Sequence, residues 1–340
     1  MSAISLAVKY RPKTFDDVVE QSATKVILQQ QLDSGEIKNA YLFCGGAGTG
    51  KTTCARIMAN EINKGFGNPI ELDAASNNSV DDVREIIQQA KTSSLDSEYK
   101  IFIIDECHSL SNQAWQAFLK LLEEPPAKAV FIFCTTDPQK IPKTILSRVQ
   151  RYDFQRISVE GIFNRLAYVV RAENIGENDL VEVALQYISK LSAGGMRDAL
   201  TMLDKCLAYS TDLTIENVVK ALGFSSYTTM TDLLCACVEE DTKKQIDIIN
   251  SVYMSGTDLK QFIKDFTIFV LDSCKFSLSA DDYLSCPKTD DIIVVFNQIH
   301  LDEGEKLLSS LIKLQADIKW DTNPKARIEA WCITREWEKE

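Results

Sequence analysis

The segment Gly45-Gly46-Ala47-Gly48-Thr49-Gly50-Lys51-Thr52 constrains the fold of this chain more than any other. Its spacing, a glycine, four residues and then Gly-Lys-Thr, is that of a phosphate-binding loop. The apolar run Ala40-Tyr41-Leu42-Phe43-Cys44 before it reads as a short buried strand, and residues 53–62 after it read as a helix. A phosphate loop needs that context. Glycines let successive backbone N–H groups turn inward around an anion, and the helix N-terminus adds partial positive charge behind them. In this arrangement Lys51 reaches the β- and γ-phosphates of a nucleotide and the Thr52 hydroxyl holds Mg²⁺. An ordinary glycine-rich turn would share the glycines but have no use for the Lys-Thr pair.

A second segment complements the first. Lys100-Ile101-Phe102-Ile103-Ile104-Asp105-Glu106 is an apolar run ending in two acids. A buried strand would deliver Asp105 at its carboxyl end, where ligands bind in open α/β sheets. Asp105 can then share Mg²⁺ with Thr52, and Glu106 can polarise a water for attack on the γ-phosphorus. Two acids rather than one favour hydrolysis over nucleotide storage. The run Asn63-Lys64-Gly65-Phe66 lacks the aspartate of a guanine-reading Asn-Lys-x-Asp motif, which disfavours GTP.

Around these motifs the first part of the chain alternates strand-like runs (41–44, 69–72, 101–104, 130–134) with helical patterns such as 80–91 and 112–122. Short buried strands between helices imply a parallel sheet covered on both faces. From about residue 158 the strand signal fades. Helical patterns at 162–173, 180–192, 196–210 and 214–222 read as a small bundle, with a junction at Gly223-Phe224-Ser225-Ser226. Further helices follow at 229–239, 242–255, 257–271, 303–318 and 324–337. The expected organisation is an α/β domain over 1–157, a small helical domain over 158–222 and an all-α domain over 223–340.

Composition narrows the function. The formal net charge of −12 excludes a generally basic nucleic-acid binder, so any DNA contact must be local or made by backbone N–H groups. No uncharged apolar stretch approaches the length of a membrane span, and residues 1–13 carry no signal-peptide core. The ten cysteines include no Cys-x-x-Cys and read as reduced thiols of a cytoplasmic protein.

In this order and spacing the motifs resemble the clamp-loader branch of the AAA+ ATPases, and within it the gamma/tau subunits of bacterial DNA polymerase III. The resemblance covers nearly the whole chain and is strongest over residues 8–199. It is carried by Lys9-Tyr10-Arg11-Pro12-Lys13-Thr14-Phe15-Asp16-Asp17-Val18-Val19, by the loop at 45–52 and by Glu71-Leu72-Asp73-Ala74-Ala75-Ser76. Asp105-Glu106-Cys107-His108, Leu121-Leu122-Glu123-Glu124-Pro125-Pro126 and Thr135-Thr136-Asp137-Pro138 continue it. It closes with Ile145-Leu146-Ser147-Arg148 and Gly195-Met196-Arg197-Asp198-Ala199-Leu200.

The resemblance implies roles. Tyr10, Arg11 and Pro12 cover the adenine, while Gly45, Gly46, Ala47, Gly48, Thr49, Gly50, Lys51, Thr52 and Thr53 hold the phosphates. Thr52 and Asp105 are the metal residues and Glu106 is the catalytic base. Thr136 is a polar sensor of the γ-phosphate, with Thr135 as the alternative. Arg197 brings charge from the lid onto the same ATP, unless it is a plain surface charge. Arg148 is an arginine finger for a neighbouring subunit's ATP, unless it serves a surface salt bridge. His108 is structural or a relay. The loop 92–99, with Leu95, lies where such subunits face the sliding clamp. The turn Ser76-Asn77-Asn78-Ser79 either meets DNA or simply caps the helix after it. Trp320, Trp331 and Trp337 pack within the all-α collar or between collars.

Three departures qualify the match. The stretch 60–68 has no cysteine where the bacterial subunits carry a four-cysteine zinc module, so no zinc is expected. Val149 follows Arg148 where the family has cysteine. The chain stops at Glu340 without the long tau tail. These reductions suggest a compact loader subunit of a phage or another divergent replicon, acting in the cytoplasm, or in a host's cytoplasm if phage-encoded. The expected function is ATP hydrolysis coupled to opening a sliding clamp and loading it on primer–template DNA, in a pentameric ring or spiral with like or unlike subunits. The alternatives are a subunit that binds ATP only to assemble, and a different AAA+ machine such as a branch-migration helicase or a replication factor C small subunit.

Overall fold

The computed structural model describes residues 4–92, 96–176, 178–223 and 226–334. Ser93, Ser94, Leu95, Phe224, Ser225 and Trp337 therefore lie outside the described residues, and with them the centre of the expected clamp-facing loop and part of the expected junction. The chain divides into two compact units, Met1–Ala172 with Ser192–Thr201, and Glu173–Leu191 with Met202–Glu340.

The first unit is built on five parallel strands: β1 (Ala40–Gly45), β2 (Ile70–Asp73), β3 (Lys100–Asp105), β4 (Ala129–Thr135) and β5 (Gln150–Phe154). Their order in the sheet is β2-β3-β4-β1-β5. The central strands are apolar on both faces, as a sheet covered twice requires. Leu42, Phe102, Ile104, Phe131 and Phe133 face Val83, Ile86, Trp115 and Phe118 of the helices Val80–Ala90 and Asn112–Glu123. The alternate residues Tyr41, Phe43, Ile103 and Ile132 pack on Leu28, Cys54, Ile57 and Met58 of the helices Ser22–Ser34 and Lys51–Ile62. The parallel register brings Cys44 level with Thr135, and Asp73 level with Asp105. The loops that follow β1, β3 and β4 therefore open on one edge of the sheet.

Besides single turns of helix such as Leu6–Lys9 and Lys143–Leu146, two elements of this unit were not expected. β5 reads Gln-Arg-Tyr-Asp-Phe, and only Tyr152 and Phe154 are buried. A single buried pair is too weak a period-2 signal to separate an edge strand from a loop. The helix Ser22–Ser34 buries only Thr24 and Leu28, so its apolar stripe is equally thin.

The second unit is helical. Its core centres on Phe262, Phe266, Phe269 and Val270 of the helix Leu259–Ser277, packed with Leu307, Leu311 and Leu314 of Leu301–Ile318. Leu259–Ser277 runs past the expected end at residue 271, and a short helix, Asp290–Phe296, was not foreseen. Trp331 belongs to this core and donates its indole N–H to Ser310 Oγ at 2.7 Å. Trp320 is 85 % exposed and, among the described residues, joins no core of its own unit, which leaves packing between collars as its remaining expected role. Among the described residues no helix is long and apolar enough to cross a membrane.

Candidate functional site

The loop after β1 is shaped by its glycines. Gly45 has φ +155°, and a Cβ there would stand 2.4 Å from the Phe154 carbonyl of β5. Gly48 has φ +69° and touches the backbone of Gly195, so neither its conformation nor its surroundings admit a side chain without strain. Thr49 is buried and its hydroxyl donates to the Gly46 carbonyl at 2.9 Å. Gly50 then caps the helix Lys51–Ile62.

Lys51 is 6 % exposed and folds back over the loop, its Nζ donating to the carbonyls of Gly45 (2.9 Å) and Gly46 (2.7 Å). Burial pushes its pKa below the usual lysine value, and the nearby Glu106 and Asp105 partly oppose that shift. Neutral carbonyls only partly satisfy an ammonium group, and an anion over the loop would satisfy it better.

The second motif meets the first directly. Thr52 Oγ1 donates to Asp105 Oδ2 at 2.8 Å. Two hard oxygen donors converging beside a phosphate loop suit Mg²⁺, which prefers oxygen ligands and keeps several waters. Glu106, just past β3, adopts φ +46°, a left-handed conformation unusual for a non-glycine residue. That turn aims its carboxylate across to β4. Thr136 Oγ1 donates to Glu106 Oε2 at 3.0 Å. His108 Nδ1 lies 3.3 Å from the same oxygen and 3.2 Å from Thr135 Oγ1. The two threonines are therefore distinct. Thr135 is fully buried and also receives the Asp137 N–H, whereas Thr136 reaches Glu106.

Beside the loop lies a cleft of about 870 Å³, solvent at its mouth included. Of the expected nucleotide residues, Tyr10, Arg11, Pro12, Arg197 and the run Gly48, Thr49, Gly50, Lys51, Thr52 and Thr53 line it. Gly45, Gly46 and Ala47 form the entry to the loop. Glu106, Thr136 and Arg148 stand outside the lining. Arg197 enters from the first turn of the helix Met196–Tyr209, which is tied to the loop by Met196 N–H donating to the Gly48 carbonyl at 3.0 Å. Among the described residues the Arg197 guanidinium has no hydrogen-bond or ion-pair partner. Arg148 lies elsewhere on the first unit, paired with Glu123 at 2.7 Å.

Some contributors escaped the sequence reading. Gln21, buried with φ +53°, donates to the Gln155 carbonyl at 2.7 Å and accepts the Gln155 N–H at 3.1 Å. It thereby clamps the end of β5 to the chain leading into the cleft. Arg165 donates to the Tyr10 carbonyl at 2.9 Å and lines the cleft with Val18 and Val19. No local pattern marks either residue, because each acts on a partner more than 130 residues away. The Ser76–Ser79 turn is a helix cap: Ser79 and Asp82 form a reciprocal capping box on Val80–Ala90. Among the described residues no group of three or more His, Cys, Asp or Glu side chains is arranged to hold a metal ion.

Comparison with known proteins agrees with this architecture. Residues 68–158 match the family described as DNA polymerase III, delta subunit, and residues 161–212 match the family described as DNA polymerase III clamp loader subunit, ATPase lid domain. The chain is 34% identical to the DNA polymerase III subunit tau of Bacillus subtilis over 98% of its own length and 63% of that protein's. It is 35% identical to the tau subunit of Escherichia coli over 76% of its length and 43% of that protein's. It is 32% identical to the DNA polymerase III subunit gamma of Buchnera aphidicola, over 78% of each. The chain thus spans less than two thirds of the tau relatives and more than three quarters of the gamma relative. Among solved structures, the Holliday junction branch migration motor RuvB of Thermotoga maritima superposes with a TM-score of 0.53 at 18% identity, covering 68% of this chain and 80% of that one. That likeness speaks for the AAA+ fold alone. The chain belongs to the DNA polymerase III gamma/tau family of clamp-loader subunits.

Proposed function

We propose that this chain is an ATP-hydrolysing subunit of a sliding-clamp loader, which opens the clamp and loads it onto primer–template DNA. The observation that carries the reading is the contact chain Thr52–Asp105 and Glu106–Thr136, formed where the carboxyl ends of β1, β3 and β4 converge. ATP would lie in the cleft with its base under Tyr10, Arg11 and Pro12 and its phosphates on residues 45–53. Mg²⁺ held by Thr52 and Asp105 would neutralise phosphate charge. Glu106 would accept the proton of the water that attacks the γ-phosphorus, and ADP would leave. Thr136 would hold Glu106 in line, and Arg197 would bring positive charge onto the same phosphates. Arg148 would serve the ATP of a neighbouring subunit.

In this reading residues 1–157 form the ATPase domain, 158–222 the lid and 223–340 an oligomerising collar. The partners are other loader subunits in a pentameric spiral, the clamp and DNA, in the cytoplasm. Steady-state ATP turnover, measured with and without primer–template DNA and the clamp, tests it. Stimulation by both together supports loading. Tight ATP binding with no turnover under any of these conditions would leave only an assembly role.

A further inference from the structure

Arg148 follows the short helix Lys143–Leu146 and is held at three points. Its Nη1 donates to the Thr144 carbonyl at 2.8 Å and to Ser147 Oγ at 3.1 Å, and its Nη2 donates to Glu123 Oε1 at 2.7 Å. A guanidinium has five N–H donors in one plane. Three are used, so two remain without a partner among the described residues, on a side chain still 34 % exposed. A free arginine would lose its rotamer freedom on meeting a phosphate, whereas one already held loses little.

Glu123 is an odd choice for its own helix. It is the last residue of Asn112–Glu123, at the end that carries partial negative charge. A carboxylate there opposes the helix dipole, and helix stability gives no reason for it. The turn that follows it is stiffened by Pro125 and Pro126. With a side chain about half exposed, the pair adds little to stability, as surface ion pairs do. What the pair does accomplish is to fix the guanidinium across residues 25 positions apart.

We propose that Glu123 is a positioning residue for Arg148, holding its guanidinium so that the two remaining N–H donors meet the nucleotide phosphates of a neighbouring subunit. This rests on Arg148 acting in trans, as proposed above, and adds the residue that presents it.

The test uses the full chain in its assembled oligomer, with assembly followed by sedimentation velocity, and measures kcat and KM for ATP. Four proteins are compared with wild type: Glu123→Ala, Glu123→Gln, Arg148→Ala and the Glu123→Ala/Arg148→Ala double variant. Arg148→Ala should lose about 10³-fold in kcat. Glu123→Ala should lose about tenfold in kcat with KM unchanged. Glu123→Gln, which keeps an acceptor oxygen at the same reach, should recover most of that loss. The double variant should be no worse than Arg148→Ala, because Glu123 acts only through the arginine. If Glu123→Ala turns over ATP like wild type while Arg148→Ala is impaired, the pair is only a surface ion pair and this inference fails alone. It also fails if the two losses multiply. If assembled Arg148→Ala retains full turnover, the finger reading fails and takes this inference with it.

Discussion

Thr52 Oγ1 and Asp105 Oδ2 lie 2.8 Å apart, bridging residues 53 positions apart in sequence. The hydroxyl comes from the first turn of the helix after the glycine loop, and the carboxylate from the end of a strand two places away in the sheet. Each side chain is positioned by its own backbone element. The oxygen pair is therefore set before any ligand arrives.

Asp105→Asn should raise the Mg²⁺ concentration needed for half-maximal ATP turnover by about tenfold or more, since an amide oxygen is a weaker ligand for a hard cation. A Mg²⁺ titration at saturating ATP measures this. An unchanged midpoint would remove Asp105 from the metal site.

Lys51 gives a pH signature. Burial lowers its pKa in the free protein from 10.5, and bound phosphates would raise it again. The free protein therefore loses the Lys51 proton at a pH where the nucleotide complex keeps it. ATP affinity should consequently begin to fall below pH 10.5, earlier than an ordinary lysine would dictate. The fold shows the opposite sign. Burial penalises the charged form, so that penalty is present at neutral pH and is relieved as pH rises from the folded-state pKa towards 10.5. Binding of a fluorescent ATP analogue from pH 7 to 10.5 reads the first effect, and Lys51→Arg, which cannot deprotonate there, should abolish the dependence.

Thr136→Val should lower kcat by about tenfold without changing KM, because it frees Glu106 while leaving the cleft untouched. Glu106→Gln should cost about 10²–10⁴ in kcat while ATP still binds. Single-turnover hydrolysis alongside equilibrium binding separates the two effects. Wild-type turnover in Glu106→Gln would exclude that carboxylate as the base.

Gly48→Ala should destabilise the first unit by about 1–3 kcal/mol, from its left-handed backbone and its contact with Gly195 and Arg197. It should also weaken ATP binding, since Arg197 is carried on the helix that docks there. Gly176 faces open space with ordinary backbone, so Gly176→Ala should do neither. Thermal melting and ATP binding report both.

What the sequence made legible follows from how each residue acts. The loop at 45–52 and the pair Asp105-Glu106 were readable as neighbours of one site because their positions attach to fixed spacings within one strand–turn unit. Their meeting through Thr52 followed from parallel topology. β5 and the helix Ser22–Ser34 stayed hidden because they bury too few side chains to impose a period. Gln21 stayed hidden because nothing beside it marks a left-handed pair at Glu20 and Gln21. The Glu123–Arg148 pair joins two segments that were each recognised, yet no spacing rule links them. For Trp320 the sequence could not choose between core and a contact outside its own unit, because a tryptophan among helices suits either; this one faces solvent.

With Arg148 acting in trans as proposed, hydrolysis takes place at a site shared between neighbouring subunits. Mixed oligomers of two inactive variants test this most directly. Arg148→Ala subunits keep an intact loop but offer no finger, and Lys51→Ala subunits offer a finger but cannot hold nucleotide. Co-assembled in one oligomer, they create interfaces where an intact loop faces an intact finger. The predicted result is ATP turnover in the mixture well above that of either parent, rising and falling with the mixing ratio. Mixed oligomers that assemble normally yet remain as inactive as both parents would contradict the shared site.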